Sequence, residues 1–187
     1  YNDAILHISV DASGSMGGDK WTNTMTAVVA ICKAASMISG LDVVVSFRTT
    51  HYGGGRHSNG SPLVAIGFDS RVDKFRKIES LWPSLHPGGT TPEGLCYEAI
   101  MKDFVGGTNN RDSYFLNFSD GQPMFSGDGF EYYGDQALHH TKKQVKEIVK
   151  KGISVMSYFV GDSEYDRTRN MDDFKTMYGK DAQFIDV

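Results

Sequence analysis

The chain has 187 residues, of which 40% are hydrophobic and 22% charged, a composition typical of one globular domain and unlike that of a disordered protein. Its formal net charge of -4 gives no reason to expect a nucleic-acid partner, and no apolar run approaches the length of a transmembrane helix. We therefore predict a single domain over residues 1–187, whether complete or a fragment of a longer chain, with neither nucleic acid nor membrane as its partner.

The first half of the chain alternates between buried strands and helices. Ala4–Val10 is an apolar run typical of a buried strand, and a polar loop, Asp11–Lys20, follows it. Trp21–Ser39 has apolar residues at helical spacing and ends before Gly40. The next predicted elements are a strand Leu41–Thr49, a Gly- and Ser-rich loop His51–Ser61, a strand Leu63–Phe68, a short helix Val72–Ser80 and a loop Leu81–Thr91.

The second half repeats this alternation. Pro92 is placed to open a helix that runs to about Phe104. The remaining predicted elements are a strand Ser113–Ser119, a long helix Asp135–Lys151 ended by Gly152, a strand Ile153–Val160, a helix Glu164–Tyr178 and a strand Ala182–Val187. Such alternation predicts an α/β fold of the Rossmann-like, doubly wound type, with a mainly parallel central sheet and helices on both faces.

A D-x-S-x-S pattern follows the first strand directly. Asp11, Ser13 and Ser15 alternate with small residues, so that a turning loop can aim one carboxylate and two hydroxyls at a single point. Ligands in open α/β sheets bind beyond the carboxyl ends of the strands, which is where this loop is expected. Oxygen-only ligands suit a hard cation, Mg²⁺ first and Mn²⁺ or Ca²⁺ as alternatives. The ordinary alternative is a turn in which Asp and Ser satisfy loop amides.

Two further loops are expected at the same sheet edge. The segment Gly88-Gly-Thr90-Thr91-Pro92 offers hydroxyls at a helix start, and Asp120 follows the strand that ends at Ser119. Taken alone, Asp120-Gly121 is equally typical of a tight turn. The three loops together favour one metal site.

These three elements, in this order, resemble the metal-ion-dependent adhesion site of von Willebrand factor A domains. The resemblance implies that Asp11, Ser13, Ser15, a threonine and Asp120 hold one ion and leave a position for a partner's Asp or Glu. Thr91 is favoured over Thr90 as that threonine, because Pro92 would start the helix just after it. Thr90 would then be a helix cap.

The second half also resembles the A domain of the aerobic cobaltochelatase subunit CobT and its relatives. The resemblance rests on Phe118–Met124, the helix from Asp135, and Ile153–Asp162. It implies an adaptor or subunit of an AAA+ (MoxR- or CobS-like) ATPase complex. The alternatives are a cobaltochelatase subunit acting in metal insertion into a tetrapyrrole, and an extracellular adhesion domain.

Catalysis by this chain is not favoured, because the sequence has no G-x-S-x-G elbow, no P-loop and no H-E-x-x-H motif. Its two cysteines, Cys32 and Cys96, fall in predicted helices with apolar neighbours and are expected to be reduced core thiols. Unpaired thiols favour a cytoplasmic location over an extracellular one.

Two other groups of side chains have alternative interpretations. A lysine-rich face on the long helix is typical of a solvated surface and, as the alternative, of a surface for an acidic partner: Lys142, Lys143, Lys146, Lys150 and Lys151. Loop aromatics expected near the site either pack under the loop or rim a protein interface: Trp82, Phe125, Phe130, Tyr132 and Tyr133.

Overall fold

The computed structural model describes residues 3–51, 60–104, 106–108, 110–127, 129–161, 164–180 and 182–186. Its described strands, in chain order, are β1 (Asp3–Asp11), β2 (Leu41–His51), β3 (Ser61–Asp69), β4 (Arg111–Ser119), β5 (Phe125–Gly127), β6 (Phe130–Tyr132), β7 (Ile153–Gly161) and β8 (Gln183–Asp186). Six of them form one sheet in the order β3-β2-β1-β4-β7-β8, and β5 pairs with β6 in a separate hairpin.

The central sheet is parallel except at one edge. β2, β1, β4, β7 and β8 pair in parallel, whereas β3 lies antiparallel to β2. The segment between His51 and Ser61 is too short for the crossover of a dozen or more residues that a parallel return needs, so β3 pairs antiparallel. The predicted fold class is confirmed.

The described helices are α1 (Asp19–Ala35), α2 (Arg76–Leu81), α3 (Glu93–Ile100), α4 (Gly134–Lys150) and α5 (Glu164–Tyr178). Short 3₁₀ turns occupy Gly14–Met16, Trp82–Ser84 and Met101–Asp103. None of the helices in the described ranges is both long and apolar enough to cross a membrane.

Several predicted helix boundaries differ from the structure, among them the following. α1 ends at Ala35 rather than Ser39, and the apolar Met37 that extended the prediction is 78% exposed. α2 begins at Arg76, because Asp69 accepts the backbone N–H of Arg71 in a turn that precedes the helix. α3 begins at Glu93, with Pro92 just before its first turn.

Apolar side chains cover both faces of the sheet. On one face Ile8, Val10 and Val45 pack with Met25 and Val28 of α1. The opposite face carries a cluster with α3 and α4 and another with α5, and their fully buried members are Tyr97, Phe115, Ile148, Phe159 and Phe174. The two cysteines are free thiols buried in α1 and α3, as expected.

The register between β1 and β4 places the two site loops side by side. Val10 of β1 lies opposite Phe118 of β4 in a parallel pair. Asp11 and Ser119 therefore leave the sheet at the same edge, and the loops after them begin next to each other.

Candidate metal-binding site

The loop after β1 folds its polar side chains inward. Asp11 and Ser13 are buried, and the backbone N–H of Ser13 donates to Asp11 Oδ1 at 2.9 Å. The 3₁₀ turn Gly14–Met16 then places Ser15 Oγ 3.0 Å from Ser13 Oγ. The two hydroxyls thus lie together, and the Asp11 carboxylate lies behind them, bonded to the backbone of Ser13.

The loop after β4 meets these side chains directly. Ser15 Oγ donates to Asp120 Oδ1 at 2.8 Å, and Ser119 Oγ donates to Asp11 Oδ2 at 3.0 Å. Asp120 is 4% exposed. A continuous chain of hydrogen bonds therefore joins Asp11, Ser13, Ser15 and Asp120, although 105 positions separate Ser15 from Asp120.

Backbone bonds connect the threonine loop to the first loop. The N–H of Gly14 donates to the carbonyl of Gly89 at 3.1 Å, and the N–H of Gly88 donates to the carbonyl of Ala12 at 2.8 Å. Gly89 has φ +78°, and a Cβ there would lie 2.8 Å from a backbone oxygen of β2, so the close approach requires glycine.

The two threonines have different surroundings, although both line the pocket described below. Thr90 Oγ1 lies 2.5 Å from Thr50 Oγ1 on β2, whereas Thr91 is buried. The expectation that Thr90 caps α3 is wrong: Pro92 occupies the cap position, no side chain caps the helix, and Thr90 bonds to Thr50 instead. This arrangement keeps Thr91 as the favoured ligand.

A single open pocket of about 490 Å³ brings the three loops together. Ser13, Ser15, Thr90, Thr91 and Asp120 line it, and Asp11 supports it from below through its bond with Ser13. Its remaining described walls are formed by Lys20, Gly89, Gly121, Gln122, Pro123, Met124, Tyr133, Gly134 and Asn170. Residues from all three predicted loops therefore converge.

The pocket concentrates buried negative charge. Burial raises the pKa of Asp11, and burial followed by the negative charge of Asp11 raises the pKa of Asp120. Lys20 offsets part of this charge, since its Nζ lies 3.1 Å from Asp120 Oδ2 and its side chain is 11% exposed. A cation placed between the two carboxylates would offset more of it.

The donor set fits a hard divalent ion. Within the described part of the chain no three His, Cys, Asp or Glu side chains converge, so an ion here would depend largely on hydroxyl oxygens. Two carboxylates with serine and threonine hydroxyls match the oxygen ligands of Mg²⁺, Mn²⁺ or Ca²⁺ and lack the Cys and His ligands common in zinc sites.

A buried ion pair lies beneath the site. Arg48 of β2 donates to Glu93 Oε1 at 2.6 Å, to Ser9 Oγ at 3.0 Å and to the carbonyl of Phe118 at 3.0 Å. Tyr97 donates to the same Glu93 oxygen at 3.2 Å. Arg48 therefore holds β1, β2, β4 and α3 together just below the loops of the candidate site.

Sequence reasoning missed Lys20, Arg48 and Glu93. A lysine five positions after Ser15 was a usable local signal, because a cation beside two carboxylates offsets their charge. Arg48 was visible as a charge inside an apolar strand, but its partner Glu93 is 45 positions away and follows from the tertiary fold alone.

Comparison with known proteins gives one curated relative and many similar structures. No protein-family profile matches the chain. The uncharacterized protein YojO of Bacillus subtilis (strain 168) is 26% identical over 186 residues, which is 98% of this chain. Because the aligned region is 27% of YojO, the chain spans about a quarter of the length of that relative.

Several solved structures share the fold. The vWF domain of the type V pili tip protein Mfa5 from Porphyromonas gingivalis has a TM-score of 0.69 at 7% identity, covering 99% of this chain and 90% of that one. The SpRpn10 VWA domain has a TM-score of 0.56 at 12% identity, covering 100% and 88%. The pilus adhesin SpaC from Lactobacillus rhamnosus GG has a TM-score of 0.67 at 13% identity, covering 100% and 29%. The chain therefore has a von Willebrand factor A-like fold.

Proposed function

We propose that this chain is a metal-dependent protein-binding module. In this proposal Asp11, Ser13, Ser15, Thr91 and Asp120 hold one divalent ion, Mg²⁺ first and Mn²⁺ or Ca²⁺ as alternatives, with Thr90 as the alternative to Thr91. The observation that carries it is the convergence of these side chains on one pocket, joined by hydrogen bonds from Asp11 through Ser13 and Ser15 to Asp120.

The bound ion would supply a positive charge, and a carboxylate oxygen of the partner would coordinate it. The chain's own residues orient the ligands for it. The Ser13 N–H and the Ser119 hydroxyl fix both oxygens of Asp11, while Ser15 and Lys20 fix those of Asp120. The carboxylates are thus held in place by the fold before an ion arrives.

The rim of the pocket favours a protein partner. Met124 is 53% exposed and Tyr133 is 59% exposed, and both line the pocket beside Asp120. Met and Tyr are enriched in protein interfaces, where they surround a few polar contacts. A partner Asp or Glu that reaches the ion would bring its neighbouring residues onto this rim.

An adaptor or subunit role beside an AAA+ (MoxR- or CobS-like) ATPase remains our first prediction for the biological context. Its support is the resemblance of Phe118–Met124, the helix from Asp135 and Ile153–Asp162 to the CobT A domain; Asp162 itself lies outside the described residues. A part in metal insertion into a tetrapyrrole rests on the same resemblance. A cytoplasmic location remains a prediction with it.

Adhesion is the second candidate, and the structural neighbours support it. SpaC is a pilus adhesin, Mfa5 a pili tip protein, and the PilB minor pilin from Streptococcus sanguinis shares the fold with a TM-score of 0.63 at 12% identity. Both candidates use the same ion-bridged contact. Mixing this chain with the AAA+ ATPase of its own source, with Mg²⁺ or with EDTA, separates them: Mg²⁺-dependent co-elution supports the adaptor, and no co-elution removes it.

Two measurements test the metal site itself. Calorimetric titration with MgCl₂ should show one site in the wild type and none in Asp11→Asn. Asp19→Asn, which removes an exposed carboxylate from the first turn of α1, is the matched control and should bind as the wild type does. In NMR spectra of the backbone amides, adding acetate should then change the chemical shifts of Ser13 and Thr91. These changes should require Mg²⁺, and acetamide should not cause them.

Either of two results would overturn the proposal. One is Mg²⁺ binding by Asp11→Asn with the affinity of the wild type. The other is an acetate response that persists unchanged in EDTA.

A further inference from the structure

A second surface lies between α4 and α5, away from the metal pocket. It is a groove of about 450 Å³, and its apolar lining consists of Val145, Val149, Met177 and Tyr178. It shares no lining residue with the metal pocket among the described residues. The metal pocket touches α4 at Gly134, and the groove reaches Lys150 at the other end of that helix, roughly 24 Å away at 1.5 Å per residue.

The groove exposes apolar surface that the fold leaves uncovered. Val145 and Met177 are buried at 6% and 2% exposure and form its floor, while Val149 is 52% exposed on its wall. The floor is firmly built, because Tyr178 Oη lies 2.5 Å from Tyr97 Oη of α3. Val149 and the apolar floor form one contiguous strip, and contiguous apolar surface is what marks an interaction site.

Lysines surround this apolar strip. Lys142, Lys146 and Lys150 of α4 and Lys175 of α5 line the groove, and no Asp or Glu is among the described residues that line it. Positions 142–151 hold five lysines and one glutamate, Glu147, a local excess of four positive charges in a chain whose net charge is -4. Glu147 pairs with Lys150 at 2.6 Å and offsets one of them.

Stabilisation of the helix dipole explains part of this charge. Lys150 and Lys175 lie in the last turns of α4 and α5, where a cation is favourable. Lys142 lies about two turns before the end of α4, beyond the reach of that effect. The position of Lys142 is instead consistent with a role in the groove.

We propose that this α4–α5 groove binds an acidic amphipathic helix of a partner protein, with its apolar side chains on Val145, Val149 and Met177 and its carboxylates against the lysines. Two helices that flank an apolar groove offer the geometry in which an amphipathic helix binds. Nucleic acid would contact the lysines through phosphates and leave the apolar floor unused. A flat lipid surface would reach the exposed Val149 and leave the recessed Met177 uncovered.

Fluorescence anisotropy with a designed peptide tests this assignment. The probe is a fluorescein-labelled 18-residue peptide with Leu at helical i, i+3, i+4, i+7 spacing and Glu at the other positions. Lys142→Glu/Lys146→Glu should weaken its binding about tenfold, and 0.5 M salt should weaken it as well. The same peptide with Lys in place of Glu should not bind the wild type.

The matched control reverses two charges at the other edge of the sheet. Lys74 and Arg76 are exposed next to and within α2, so Lys74→Glu/Arg76→Glu alters the net charge equally and should bind the probe within twofold of the wild type. EDTA should have no effect, which separates this proposal from the metal site. Val149→Glu tests the apolar wall and should weaken binding without changing the unfolding transition.

Three outcomes would overturn the proposal. The first is no binding of the acidic peptide, and the second is equal binding of that peptide by the Lys142→Glu/Lys146→Glu protein and the Lys74→Glu/Arg76→Glu control. The third is lysine-dependent binding of phosphatidylserine vesicles or duplex DNA in place of the peptide.

Discussion

Replacing Glu93 by Gln should destabilise the protein strongly, because it leaves a buried guanidinium without its counter-charge. Arg48 and Glu93 are 1% and 0% exposed and lie 2.6 Å apart. Removing one member of such a pair costs about 3–5 kcal/mol. Glutamine still offers an oxygen to Arg48 Nη2 and to Tyr97, so we expect Glu93→Gln near the lower end, about 3 kcal/mol.

Removing both charges should cost much less than the two single losses combined. Arg48 Nε and Glu93 Oε2 are buried without hydrogen-bond partners, so the pair does not fully recover what it lost in leaving water. For Arg48→Met/Glu93→Leu we expect a favourable coupling of about 2 kcal/mol or more.

Urea denaturation followed by tryptophan fluorescence, in metal-free buffer, measures this double-mutant cycle. The control cycle is Lys77→Met/Asp73→Leu, an ion pair whose side chains are 49% and 18% exposed, for which we expect a coupling below about 1 kcal/mol. Strict additivity at Arg48 and Glu93, or a cost for Glu93→Gln below about 1 kcal/mol, would show that the pair is not strongly coupled.

Lowering the pH from 7.5 to 5 should reduce the free energy of unfolding of the wild type by about 2 kcal/mol more than that of His7→Gln. Burial lowers the pKa of His7 from 6.5 to about 3, so over this pH range the unfolded chain takes up a proton on His7 and the folded protein does not. Urea denaturation at both pH values measures this, and equal losses would contradict it. Gly89→Ala should cost at least about 1–2 kcal/mol, because a side chain is disfavoured at its φ of +78° and the added Cβ would also lie 2.8 Å from the Thr50 carbonyl oxygen. Gly121→Ala, where an added Cβ meets nothing within 4 Å, should leave the thermal midpoint nearly unchanged. Equal midpoints for the two alanine variants would count against the strained loop. Thr91→Val should abolish the calorimetric Mg²⁺ signal and Thr90→Val should retain it, since the Thr90 hydroxyl is engaged on β2. Equal effects would reverse the ligand assignment.

The architecture was predictable because buried parallel strands are apolar on both faces. Ile5, Ile8 and Val10 of β1 are all buried. The apolar run Ala4–Val10 predicts this burial from the sequence alone. The hairpin of β5 and β6 was missed, since strands of three residues carry too few positions to show an alternation. The predicted end of α1 was too late for a different reason, because Met37 is apolar yet exposed.

The candidate site was predictable to the extent that its chemistry is local. Asp11, Ser13 and Ser15 lie within five positions, and Asp120 directly follows a strand end, so their convergence followed from the parallel topology. Lys20 had a local signal in its position five residues after Ser15, but the pairing of Arg48 with Glu93 depends on the tertiary fold, which the order of residues does not reveal. Ligation of an ion by Asp11, Ser13, Ser15, Asp120 and a threonine remains a prediction.

The crossed backbone bonds between Gly14 and Gly89 and between Gly88 and Ala12 join the first loop to the threonine loop through main-chain atoms alone. The position of the first loop relative to the threonine loop is therefore held by bonds that do not involve the side chains lining the pocket. Substitution of a pocket-lining side chain would therefore change the chemistry of the pocket and leave these two backbone bonds in place. A variant of this chain without the proposed ion ligands would still present these two loops in the same arrangement.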